Sequence, residues 1–428
     1  MNSLKKLLIV IVIFAGAYFL PAANPKLLGA IQEALIMLKD YAQKHVLLCL
    51  IPALFIAGAI SIFISGDAVI RYFGAKANKI PSYLIASISG TILAVCSCTV
   101  LPLFAGIYSR GAGIGPAIAF LYSGPAINVL AIILTAKILG LELGLARAVG
   151  AIAFSIVIGL LMQFTLRNDK RENVEEEATA VSGEKNHLLK NTLFFTSMVF
   201  ILIFANWADS TNGFFHSVFS IKWFLVLVSY SFLNFVLVKW FKVNLIYSIL
   251  SVAIPVIAYI FFPSLPLLWF SLGILMTTVI SLLSSEDTKM WISSTETYLY
   301  MILPYLLIGV LISGFLLGMP GSSKGIIPSS WVANLVGGNS IKANFFASIV
   351  GAFMYFATLT EVPILQSLIG AGMGHGPALA LLLSGPVISL PSMLVLINIM
   401  GKKRTFTFVF YVIVLSTLAG LIFGKIMS

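Results

Sequence analysis

Charge is scarce in this chain. Only 10% of the 428 residues are charged and 60% are hydrophobic, whereas soluble domains hold roughly 25% charged residues. A chain so poor in charge cannot cover a water-facing surface, which excludes a soluble protein and points to an integral membrane protein. Cysteine is scarce too: Cys49, Cys96 and Cys98 are all there are, too few for a disulfide framework. Cys49, alone in an apolar run, reads as a small core residue. HExxH, GxSxG, Walker A and carboxylate-dyad motifs are missing, so no catalytic residue and no cofactor are expected. The net charge of +11 does not argue for nucleic acid, because no basic stripe interleaves with exposed aromatics. In a membrane chain Lys and Arg collect in short loops and orient the helices.

What the chain has is long hydrophobic runs. They recur from 45–66 to 405–425, with a shorter run at 7–23. Since a span needs about 17–25 apolar residues, this predicts an all-α membrane protein of about 12–13 segments. Lys5 and Lys6 before the first run read as a retained signal-anchor, with residues 1–44 as anchor and loop. Residues 45–166 form a first transmembrane repeat. Residues 167–297 hold a polar linker, containing Glu175, Glu176 and Glu177, and further transmembrane helices. Residues 298–428 form a second repeat. Trp240, Trp269 and Trp291 near segment ends are expected at the membrane interfaces.

The repeats rest on one stretch that occurs twice, 261 residues apart. From Pro102 to Ile127 and from Pro363 to Ile388, 12 of 26 aligned positions are identical, including every Gly and Pro of a GxGxGP and an SGP motif. Proline lacks an N–H and clashes with the carbonyl four residues back. Pro102, Pro125, Pro363 and Pro386 therefore predict four broken or re-entrant helices around one shared cavity, the only setting in which hydrocarbon tolerates freed carbonyls. Repeated, interrupted hydrophobic segments are the signature of a transporter with its site at the repeat interface.

Chemistry is placed on the two copies unequally. The first carries Cys96, Ser97 and Cys98; the second carries Thr358, Thr360 and Glu361. Residues i and i+2 do not share a helix face, but beside a proline break two thiols can converge on one soft ion, which makes Cys96 and Cys98 a candidate metal or metalloid pair. Glu361 is the one charged residue from 348 to 364. An ionisable group inside a span is costly and marks function, so Glu361 is the candidate proton-coupling residue. Pro102, Ser123, Asn128 and Ser384 complete the candidate substrate site. His375 and Arg110, in the GxGxGP turns, are expected at the surface.

The run Cys96-Ser97-Cys98-Thr99-Val100-Leu101-Pro102, with Ser123-Gly124-Pro125-Ala126-Ile127-Asn128 after it, resembles the bacterial predicted-permease family that includes the organoarsenical exporter ArsP and the YraQ-type UPF0718 proteins. The resemblance implies a multi-pass inner-membrane permease and, in the arsenical branch, efflux of trivalent organoarsenicals through the cysteines matched by Cys96 and Cys98. That branch has Thr-Pro-Phe before the cysteines, where this chain has Leu93-Ala94-Val95. The expectation is a secondary efflux carrier for soft metalloid or organoarsenical-like substrates, with the bilayer as its surroundings and homo-oligomerisation left open. The alternatives are a membrane-embedded thiol redox protein, a permease for an unrelated small molecule, and a channel without coupling.

Overall fold

Hydrocarbon offers no partner to a backbone N–H or C=O, so a chain that enters it must satisfy both internally, which a helix does. The computed structural model describes residues 24–64, 78–93, 97–127, 129–166, 185–207, 213–319, 324–327, 335–353, 361–370 and 372–427. Among these residues the only β pairing is an isolated bridge between Gly337 and Met373. The protein is an all-α, multi-span membrane protein.

Helix α1 (Pro25–Tyr41) starts behind Asn24, whose side chain accepts the Lys26 N–H at 3.0 Å. It continues through a π-helical stretch (Ala42–Leu50) into α2 (Ile51–Phe63), 39 helical residues in all. The stretch 25–44, expected in part as loop, is thus helical. It buries Ala30, Ala34, Met37 and Tyr41 at helical spacing.

There follow α3 (Lys79–Leu93), α4 (Ser97–Ser109), α5 (Ile114–Ala126), α6 (Val129–Leu139) and α7 (Leu141–Thr165). A four-helix unit is formed by α8 (Lys185–Ala205), α9 (Phe214–Phe241), α10 (Leu245–Phe261) and α11 (Pro266–Leu282). Then come α12 (Glu286–Leu317), α13 (Ile341–Phe353), α14 (Glu361–Gly370), α15 (His375–Ser384), α16 (Leu390–Met400) and α17 (Lys402–Ile426).

Five helices among the described residues are long and apolar enough to cross a membrane, or six if α5 and α6, bent by 47°, count as one span. The expected 12–13 hydrophobic segments, some of them broken, correspond among the described residues to these long helices and a set of shorter apolar ones. Run 376–398 divides into α15 and α16.

The prolines explain only part of this division. Pro386 lies in the turn between α15 and α16, and Pro125 is the penultimate residue of α5. Pro102, however, sits inside α4. Pro363 lies in α14 close to residues 354–360, which are outside the described residues. Four breaks were expected; Pro125 and Pro386 sit at helix ends and Pro102 does not.

Close packing depends on glycine. α5 packs between α3 and α7, and α15 between α13 and α17. A Cβ on Gly159 of α7 would lie 2.7 Å from the Gly115 carbonyl oxygen of α5; one on Gly420 of α17 would lie 2.6 Å from the Gly376 oxygen of α15. Small residues let membrane helices approach this closely. Positive φ, open to glycine, occurs at Gly111 (95°) and Gly372 (103°), and at Gly140 (107°) and Gly401 (84°).

The four-helix unit is tied internally by Tyr230, which donates to the Gly273 carbonyl at 2.9 Å, and by Ser251, which donates to Asn234 at 2.5 Å. It meets the rest of the protein through α8 on α2 and α11 on α12. Trp269 and Trp291, expected at the membrane surface, are buried there instead. The Trp291 indole N–H donates to the Phe55 carbonyl at 2.8 Å, and its ring meets Phe55 and Phe194 edge-on. A satisfied indole can sit in a core.

Candidate functional site

Glu361 is the first residue of α14 and is fully buried. Its carboxylate faces the guanidinium of Arg147, the seventh residue of α7 and equally buried, and the two form an ion pair. Arg147 also donates to the Thr135 hydroxyl of α6 at 2.9 Å, and Thr135 in turn donates to the Ala131 carbonyl at 2.7 Å. One guanidinium therefore ties α6 and α7 of the N-terminal half to α14 of the C-terminal half. Two charges without water are tolerated only when paired and hydrogen-bonded, and removing one partner of such a pair costs about 3–5 kcal/mol.

Arg147 was missed in the sequence, though a signal was there: it is the one charged residue between Leu143 and Leu166. An unpaired cation in an apolar run calls for an acid elsewhere.

The other sequence-derived candidates divide into three groups. Cys96, Asn128, Thr358 and Thr360 lie outside the described residues. Ser97 and Cys98 begin α4, where the helical backbone is described, and Pro102 is buried one turn on. Ser123 and Ser384 are buried, and their hydroxyls go to helix carbonyls: Ser123 to Phe120 at 3.1 Å and Ala86 at 3.3 Å, Ser384 to Ala380 at 2.9 Å. His375 is exposed and Arg110 half-buried.

Cys49 is less remote than expected. It is buried, and its thiol is hydrogen-bonded to Thr99, the residue next to Cys98.

The interface between the halves is tight. Tyr122 of α5 donates to the Leu383 carbonyl of α15 at 2.9 Å, and a Cβ on Gly150 of α7 would stand 3.1 Å from a Leu383 methyl group.

A family described as a predicted permease, of the ArsP type, matches residues 31–425. A UPF0718 protein of Methanocaldococcus jannaschii is 39% identical over 389 residues, covering 91% of this chain and 94% of that one. The UPF0718 protein YraQ of Escherichia coli is 41% identical over 58 residues, 14% of this chain and 17% of its own. YcgR of Bacillus subtilis, also a UPF0718 protein, is 22% identical over 117 residues, 27% of this chain and 39% of its own. No solved structure matches.

Proposed function

The chain belongs to the ArsP-type predicted-permease family, and we propose that it is a secondary efflux carrier of the cell inner membrane, coupled to protons through Glu361 and Arg147. The observation that carries this reading is the buried ion pair between α7 and α14. A carrier needs two arrangements of its halves, and an element whose balance a bound ion can tip. With Glu361 ionised, the pair holds α14 against α6 and α7. A proton on Glu361 dissolves the pair and leaves Arg147 to Thr135 alone, which frees the halves to exchange. Proton and substrate are thereby coupled without a nucleotide.

We place the substrate at Cys96 and Cys98, with Ser97, Pro102, Asn128, Thr358 and Thr360 around it, and take it to be a soft metalloid or organoarsenical-like compound. Thiolates prefer such centres, and Cys49 beside Thr99 adds a third sulfur nearby.

The same reading takes the two halves as an internal duplication. Its support is the recurrence of backbone and packing at one offset of 261 residues: Gly111 and Gly372, Gly140 and Gly401, the Gly115–Gly159 crossing and the Gly376–Gly420 crossing. Tyr122 even bonds to Leu383, the residue at its own offset. Glu361 and Arg147 fall at positions whose counterparts are Val100 and Phe408. The coupling pair is thus an asymmetry laid on a duplicated frame.

The test is uptake of antimonite and of a trivalent phenylarsenical into inverted vesicles, with and without a pH gradient. Gradient-dependent uptake that Glu361→Gln abolishes supports the carrier; uptake indifferent to the gradient refutes it.

A further inference from the structure

A second polar feature lies away from the ion pair. The ends of α2, α4 and α16, the first half of α12 and the start of α17 enclose an open cavity of about 860 Å³. That is ample for a small organic ligand, since such sites run to about 300–1,000 Å³. Seven of its thirteen lining residues carry a hydroxyl, none carries a carboxylate, and the one charged group is Arg404. A wall of donors with a single cation is suited to a negatively charged, oxygen-rich ligand and ill suited to a cation.

The hydrogen bonds favour donation into the cavity. Arg404 donates to the Tyr108 hydroxyl at 3.2 Å, so Tyr108 accepts a charge-assisted bond and its own O–H becomes the stronger donor. Ser109 donates to the Gly106 carbonyl at 2.9 Å and accepts from Tyr298 at 2.9 Å. Lys402 and Lys403 are exposed beside Arg404 at the start of α17, and Arg110 follows Ser109. Of the acids of α12, Glu286 is paired with Lys289 at 2.7 Å and Asp287 faces Lys190; Glu296, exposed beside Thr297, is outnumbered by these four basic residues. With three basic residues in a row at its rim, the cavity opens on the side that the positive-inside rule makes cytoplasmic.

We propose that this vestibule is a binding site for a small oxyanion, such as a sulfonate, phosphonate or carboxylate, held by Arg404 and Tyr108. A guanidinium with an adjoining phenol offers a planar array of donors that matches two oxygens of one acid group. The site stands apart from Cys49 and from Glu361, neither of which is among its described lining residues. It begins, however, only a short way from Cys98: Ala105 in its wall is seven residues away, about 10 Å along α4. The vestibule would thus select by charge what the carrier later meets.

The test reads the local field directly and needs no transported substrate. In a background with Cys49, Cys96 and Cys98 changed to Ser, Thr297→Cys or, as a second site, Ser293→Cys is labelled in membranes with an anionic sulfonatoethyl methanethiosulfonate and its cationic trimethylammonium analogue. Scaled to each reagent's own rate with a small free thiol, which is higher for the cationic one, the anionic reagent should react about five- to tenfold faster, the ratio two unit-charge probes give at a potential of roughly one kT. Sulfate at millimolar concentration should slow the labelling. Arg404→Gln should remove both the preference and the protection, whereas Arg404→Lys should keep the preference. Equal or faster labelling by the cation overturns the proposal. So does an anion preference that survives unchanged in Arg404→Gln, because the anion site would then lie elsewhere.

Discussion

Replacing Glu361 by Gln removes a charge from a fully buried side chain while nearly preserving its volume, and leaves Arg147 facing a neutral amide. The structure gives that guanidinium one other described partner, the Thr135 hydroxyl, so most of the cost of a buried, uncompensated cation should appear as lost stability: about 3–5 kcal/mol. Arg147→Met should cost a similar amount, since it strands the carboxylate. The double variant Arg147→Met/Glu361→Gln carries neither charge and should recover most of the loss, because an apolar or neutral replacement of a whole buried pair is often close to neutral. A double-mutant cycle should therefore return a coupling energy of about 5–9 kcal/mol, the two single losses together less the small residue left in the double variant. Reversible unfolding in mixed micelles with increasing SDS, followed by tryptophan fluorescence, measures all four proteins on one scale. Additive losses in the double variant would refute the reasoning, since they would mean that the two side chains stabilise the fold independently.

Other outcomes follow from the same geometry. Gly420→Ala places a Cβ 2.2 Å from the Asn344 side-chain oxygen and 2.6 Å from the Gly376 carbonyl; overpacking of this kind should cost about 1–3 kcal/mol and be visible as a lower unfolding midpoint. Tyr122→Phe removes a buried hydrogen bond between α5 and α15 and should cost about 1 kcal/mol in the same assay, with the Leu383 carbonyl left unsatisfied. Cys96→Ser and Cys98→Ser should each abolish resistance to thiophilic toxicants in a growth assay while surface levels stay unchanged, and the double variant should be no worse than either single. Cys49→Ser, given its contact with Thr99, should lower resistance as well, but less than the pair.

The membrane class was legible in composition alone, because scarcity of charge leaves no other environment. Glu361 was legible for the same reason: a carboxylate among apolar neighbours stands out at any position in a span. Its partner was harder to find. Arg147 lies 214 residues upstream, and nothing local says which distant acid a buried Arg will meet. The proline reading went too far at Pro102, which sits inside α4: a membrane helix carries a proline where neighbouring groups satisfy the carbonyl it frees. Trp269 and Trp291 were misplaced because sequence periodicity cannot tell a helix face turned to lipid from one turned to four further helices. The vestibule had no sequence signal either. Its hydroxyls come from three helices, α2, α4 and α12, and only packing brings them to Arg404 of α17.

The coupling role of Glu361 is tested most directly by proton movement in proteoliposomes that enclose a pH-sensitive dye. An outward gradient of a thiophilic substrate should drive a change of lumenal pH in the wild-type protein. Glu361→Gln should still exchange labelled for unlabelled substrate, yet move no protons. The same substrate-driven pH change in wild type and Glu361→Gln would contradict the account.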